Sequence, residues 1–138
     1  MYSMRKISGI EKFIHPAVIH QTLVKEDSRN VEIWMQTSQP GKPTPTHYHS
    51  GEEILIVLKG TGWCQVDGKQ IDFGPNSVLT VPAYTPHKIC TTGEEEMQAI
   101  AVLETPVEIF NRAGEPIQLP WPYGETPGTL EPTLSEAS

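Results

Sequence analysis

No stretch of this chain repeats its apolar residues at helical spacing. Strand-like segments of four to eight residues recur instead, bounded by Gly, Pro, Asp and Asn. The segments are Ala17–Val24, Asn30–Thr37, Glu53–Leu58, Gly62–Val66, Gln70–Phe73, Ser77–Val81, His87–Thr92 and Met97–Leu103. Asp67-Gly68, between two of them, is a strong signal for a type I′ hairpin, because both central residues of that turn need positive φ. Many short strands with such turns predict an all-β sandwich or barrel. At 138 residues the chain is one domain, long enough for a genuine core.

The pattern does not say which faces point inward. In Val31–Thr37, Val31, Ile33 and Met35 share one face, and Glu32, Trp34 and Gln36 share the other. Hydrophobicity puts the first face in the core. A barrel holding a polar ligand needs a mixed interior, which puts the second face there.

Within this framework one run carries chemistry. Residues 41–60 read GKPTPTHYHSGEEILIVLKG. His47 and His49 are two apart, so in a strand they project together. Glu53 can join them from the next strand after a turn at Ser50-Gly51, and His87 offers a fourth ligand from a later strand. Three nitrogens and one oxygen suit a first-row divalent ion. Glu52 faces the other way in the same strand and reads as surface charge. His15 and His20 lack partners at ligand spacing.

These residues resemble the cupin superfamily. Gly41, His47, His49, Glu53 and Gly60 match every fixed position of its first motif, and Pro82 and His87 match part of the second. Tyr84 and Thr91 stand where that motif has a glycine and an asparagine, and Asn76 where it opens with glycine. The resemblance implies the double-stranded β-helix, or jelly roll. A closer likeness, over roughly residues 15 to 125, is to the plant auxin-binding family of cupins. That resemblance implies zinc held by His47, His49, Glu53 and His87, binding the carboxylate of an aromatic acid. It implies Gln36 and Thr44 as polar contacts, and Trp34, Pro45, Leu55, Trp121 and Tyr123 as pocket walls. Mn, Fe, Ni or Co suit the same ligands.

The resemblance leaves two functions open: a binding protein for a small, aromatic carboxylate, or a metal-dependent dioxygenase, isomerase or lyase. Tyr84, Glu32 and Cys64 are the further acid–base candidates for the enzyme. With 10 basic and 17 acidic residues, a net charge of −7 argues against nucleic acid and anionic membranes as partners. No apolar run is long enough to span a bilayer, and no signal peptide is apparent, so the expected location is the cytoplasm. In that reducing compartment Cys64 and Cys90 read as small buried hydrophobes. Ile33, Met35, Ile54, Ile56 and Leu58 form an apolar outer-face candidate, and a homodimer is the expected assembly.

The expected organisation is an N-terminal segment (1–15), one barrel (16–110), an aromatic and Pro-rich segment packed on it (111–125), and a disordered tail (126–138). Prolines at 106, 116, 120, 122, 127 and 132 exclude a continuous C-terminal helix. Val107–Phe110 can add a last strand. The stretch IQLPWPY, residues 117–123, needs burial for its two aromatics.

Overall fold

The computed structural model describes residues 3–119 and 121. After a short 3₁₀ turn at Ile7–Gly9, every regular element among the described residues is a strand. In chain order these are β1 (Phe13–Ile14), β2 (Val18–Val24), β3 (Val31–Ser38), β4 (His47–His49), β5 (Glu53–Lys59), β6 (Thr61–Val66), β7 (Lys69–Phe73), β8 (Ser77–Val81), β9 (His87–Thr92), β10 (Met97–Glu104) and β11 (Ile109–Asn111). They build two antiparallel sheets, ordered β1-β2-β3-β10-β5-β8 and β11-β4-β9-β6-β7. Consecutive strands repeatedly fall in different sheets, so the architecture is a jelly-roll barrel. Asp67 and Gly68 adopt φ of 50° and 81°, as a type I′ turn between β6 and β7 requires.

Strand alternation sorts the six-stranded sheet into two faces. Glu53, Leu55 and Val57 of β5 are buried, as are Met97, Ala99, Ala101 and Leu103 of β10. On β3 the inward face is Glu32 and Trp34, both buried; Ile33 and Met35 lie on the outer face, half-buried. The mixed face therefore points in, and only packing could decide this. Ala101 lies opposite both Trp34 and Leu55, and Ala99 opposite Gln36 and Val57. Two small residues on the central strand leave room that larger ones would fill, and the barrel stays hollow there.

The turns are built for close approach. Gly60 sits at φ 88°, and a Cβ there would lie 2.7 Å from the Met97 Cα. No L side chain fits both constraints. Asn76 (φ 63°) and Tyr84 (φ 58°) also adopt left-handed backbone. Asn tolerates this cheaply, but Tyr84 does so at a cost of roughly 1–2 kcal/mol. Its N–H donates to the His49 carbonyl at 2.7 Å, which ties this turn to β4.

The chain ends of the barrel are pinned by specific contacts. Buried Gln21 donates to the Ile7 and Ile10 carbonyls, holding the N-terminal turn against the outer face. At the other end β11 pairs with β4, and Trp121 is buried in the barrel interior. The last strand among the described residues is therefore Ile109–Asn111, and β1 is a short strand not evident from pattern. The expected tail 126–138 and Tyr123 lie outside the described residues.

Candidate metal centre

At one end of the barrel cavity three imidazoles meet. β4 carries His47 and His49, and the single register pair between β4 and β9 sets His47 opposite His87. One ring nitrogen from each lies within 4.8 Å of the others. Glu53 reaches the cluster from β5, in the opposite sheet, after the Ser50-Gly51 turn. Its Oε1 lies 3.3 Å from His87 Nε2 and 3.5 Å from His49 Nδ1. Glu52 is exposed on the outer face.

Hydrogen bonds behind the rings settle which nitrogens face inward. His47 Nδ1 donates to the Pro45 carbonyl at 2.7 Å, and His87 Nδ1 donates to the Thr85 carbonyl at 2.9 Å. Each neutral ring is left with a bare Nε2. Burial, reinforced by the His87 and His49 imidazoles, pushes His47 down to about 3, so its ring is neutral near pH 7. Burial alone would raise the Glu53 carboxyl, but the surrounding His87, His49 and His47 imidazoles outweigh it and hold it at about 2. The result is a buried carboxylate within 3.5 Å of ring nitrogens of His87 and His49. His49 Nδ1 and His87 Nε2 have no hydrogen-bond partner among the described residues. Buried polar atoms left so are costly. A cation between them would satisfy all of them at once, so the donor set fits a divalent ion.

The cluster opens into a cavity of about 440 Å³. Trp34, Gln36, Thr44, Pro45, Leu55 and Trp121 all line it, together with His47, His49 and Glu53. Trp34, Leu55 and Trp121 are almost fully buried. The Thr44 backbone N–H donates to the Ile89 carbonyl, and the Thr44 hydroxyl accepts from the Ile89 N–H, which fixes this loop against β9.

One residue of the cavity's supporting layer is not recognisable from sequence. His20 on β2 is buried and stacks on Trp121, with ring centroids 3.9 Å apart and planes 8° from parallel. It meets Trp34 edge to face at 5.1 Å. Gln36 Nε2 lies 3.0 Å from His20 Nδ1, and Thr22 Oγ1 lies 2.8 Å from His20 Nε2. Trp34 in turn donates to the buried Glu32 carboxylate at 2.5 Å. His20 thus lies outside the imidazole cluster and instead contacts three residues that line the cavity, Trp34, Gln36 and Trp121. Its signal was positional: it sits opposite Gln36 across the β2–β3 pair, a register that sequence does not reveal.

The candidate acid–base groups Tyr84, Glu32 and Cys64 stand apart from the cavity. Tyr84 is exposed, Glu32 is engaged by Trp34, and burial pushes the buried Cys64 thiol up to about 11. None of the three lines the cavity. Cys64 and Cys90 are both buried free thiols.

This combination of barrel and cluster agrees with comparison to known proteins. The cupin domain model matches residues 34–103, which hold Trp34, all four candidate ligands and the core of both sheets. The chain belongs to the cupin family. It is 34% identical over 122 residues to auxin-binding protein 1 of Arabidopsis thaliana, covering 78% of this chain and 62% of that protein. The chain thus spans under two thirds of that relative's length. It is 24% identical over 78 residues to 5-nitrosalicylic acid 1,2-dioxygenase of a Bradyrhizobium species, covering 56% of this chain and 38% of that enzyme. Among solved structures, a cupin-2 domain protein of Rhodospirillum rubrum superposes with a TM-score of 0.70 at 16% identity, covering 83% of this chain and 84% of that one. No helix among the described residues is long and apolar enough to cross a membrane.

Proposed function

We propose that this cupin binds a small aromatic carboxylate, auxin-like in shape, through a divalent metal held by His47, His49, Glu53 and His87. The observation that carries the reading is the convergence of unpartnered imidazole nitrogens and a carboxylate at one end of a cavity walled by Trp34, Leu55 and Trp121. Three neutral ligands and one carboxylate leave a bound divalent ion with net positive charge and open positions for an anionic oxygen. Zinc is the proposed ion; Mn, Fe, Ni and Co suit the same donors. The chain's own residues do the rest. Gln36 and Thr44 offer polar contacts beside the ion, and the indoles supply flat apolar surface for a ring. Tyr123 is proposed as a further wall.

The name of the auxin-binding relative supports this reading. Titration calorimetry of indole-, phenyl- and naphthylacetic acids against zinc-loaded and metal-free protein tests it. Binding to the loaded form alone is the expected result. Equal affinity for both forms, or binding to neither, refutes the proposal.

A second reading has one observation in its favour, the similarity to a protein named as a dioxygenase of an aromatic acid. On that reading the same centre serves a metal-dependent dioxygenase, isomerase or lyase. Against it stands the lack of a cavity-lining acid–base group among the described residues beyond the metal ligands, His15 and Lys42. Iron or manganese in the purified protein, with oxygen uptake on adding an aromatic acid, would select the enzyme.

The outer face of the six-stranded sheet, with Ile33, Met35, Ile54, Ile56 and Leu58, is the surface through which we propose a homodimer. The two free thiols suit a reducing compartment, and the cytoplasm is the location we propose.

A further inference from the structure

The cavity has a second polar end. His15, in the turn before β2, lines it and is 7% exposed. The Ala17 backbone N–H donates to His15 Nδ1 at 3.0 Å. That bond makes Nδ1 the acceptor and puts the ring proton on Nε2. The Nε2–H has no protein partner among the hydrogen bonds of the described residues. Lys42, in the loop between β3 and β4, also lines the cavity and forms no ion pair among the described residues.

Backbone bonds bring the two together. Gln39 N–H donates to the Ala17 carbonyl, tying the loop to the His15 turn. The Lys42 ammonium is close enough to help hold the His15 ring neutral, after burial, which is the larger cause. The strand register sets the loop that carries Lys42 apart from the candidate metal ligands. His47 lies opposite His87, and Gly41 N–H donates to the Thr91 carbonyl, four residues farther along β9. At about 3.3 Å per residue the Gly41 backbone, next to Lys42, lies roughly 13 Å along the strand from the His47–His87 pair. Ile89 and Thr91 line the cavity between them.

We infer that the ligand is a rod-like molecule with two acidic ends: one carboxylate at the metal, an aromatic or apolar middle, and a second anionic group held by His15 Nε2–H and Lys42. The inference rests on the metal–carboxylate reading above and adds a substrate class to it. A cation at the cavity rim of a chain with net charge −7 is where an anion would first be captured. The His15 Nε2–H beside it, on a ring fixed by the Ala17 bond, supplies the directional bond that an ammonium on a flexible stem does not.

The test uses the zinc-loaded full chain and two matched probes, 2-naphthylacetate and 6-carboxy-2-naphthylacetate, titrated by calorimetry at low and high salt. The diacid should bind about tenfold tighter than the monoacid at low salt, the scale of one charge-assisted hydrogen bond. Lys42→Gln combined with His15→Gln should erase that advantage and move monoacid affinity little. Lys42→Gln alone, an exposed change that the fold tolerates, should remove its salt-dependent part, and Lys42→Arg should retain it. A diacid that binds no tighter than the monoacid overturns the inference and leaves the metal reading standing, as does an advantage that survives the double substitution. Failure of both acids to bind the loaded protein overturns the two together.

Discussion

Replacing His20 with Phe should make the protein less stable at neutral pH and more stable in acid. His20 is 2% exposed, and burial lowers its pKa to about 3 from the ordinary 6.5. The folded ring is therefore neutral at a pH where the unfolded ring charges. Between those two values the unfolded chain binds one proton that the native chain does not, so stability falls as pH falls. The contribution is fully present above 6.5 and is lost at about 1.4 kcal/mol per pH unit below it. By two units below the unfolded value it has lost about 2.7 kcal/mol.

Phe keeps the stack on Trp121 and cannot titrate. It loses the contacts to Gln36 and Thr22, costing roughly 1–2 kcal/mol. The two stability curves should therefore cross at about pH 5–6, where the titration loss equals the hydrogen-bond loss. Urea unfolding of both metal-free proteins, with chelator present, measures the difference from pH 7 to 4.5. His47 and His49 are also lowered by burial, but they titrate alike in both proteins and cancel. A difference that stays constant over that range refutes the buried neutral state of His20.

Other outcomes follow from the same geometry. His47→Ala, His49→Ala and His87→Ala should each lower metal content and melting temperature together, because the ion binds only the folded state; full occupancy in His87→Ala by elemental analysis would remove it from the ligand set. Trp121→Ala should cost about 3–5 kcal/mol in urea unfolding by emptying the space beside His20, Trp34 and Phe13, and should weaken aromatic-acid binding while leaving metal content unchanged. Truncation after Glu115 removes the same wall, and should lower ligand affinity more than metal retention; unchanged affinity in the folded truncated protein would make the segment a cover only. Tyr84→Gly should raise stability by up to about 1 kcal/mol, the left-handed strain removed less the entropy glycine adds to the unfolded chain; a loss would mean that the Tyr48–Tyr84 contact outweighs the strain.

The sequence by itself determined the all-β class, because strand period and turn chemistry are local properties. Asp67-Gly68 shows this, since its type I′ geometry depends on two adjacent residues alone. It also determined that His47 and His49 project together, because the strand period places alternate residues on one face. Tertiary structure decided what depends on register and on which sheet a strand joins. The inward turn of Glu32 and Trp34 follows from the pairing of β3 with β2 and β10, and the apolar pattern favoured the opposite face. Glu53 meets the histidines across two sheets, an approach set by barrel closure. His20 is the plainest case. Alone in sequence it lacks ligand spacing, and it gains a role only where pairing sets it against Gln36 and packing sets it on Trp121. Long-range contacts carry no local spacing signal, so the support of the cavity could be read only from the folded chain.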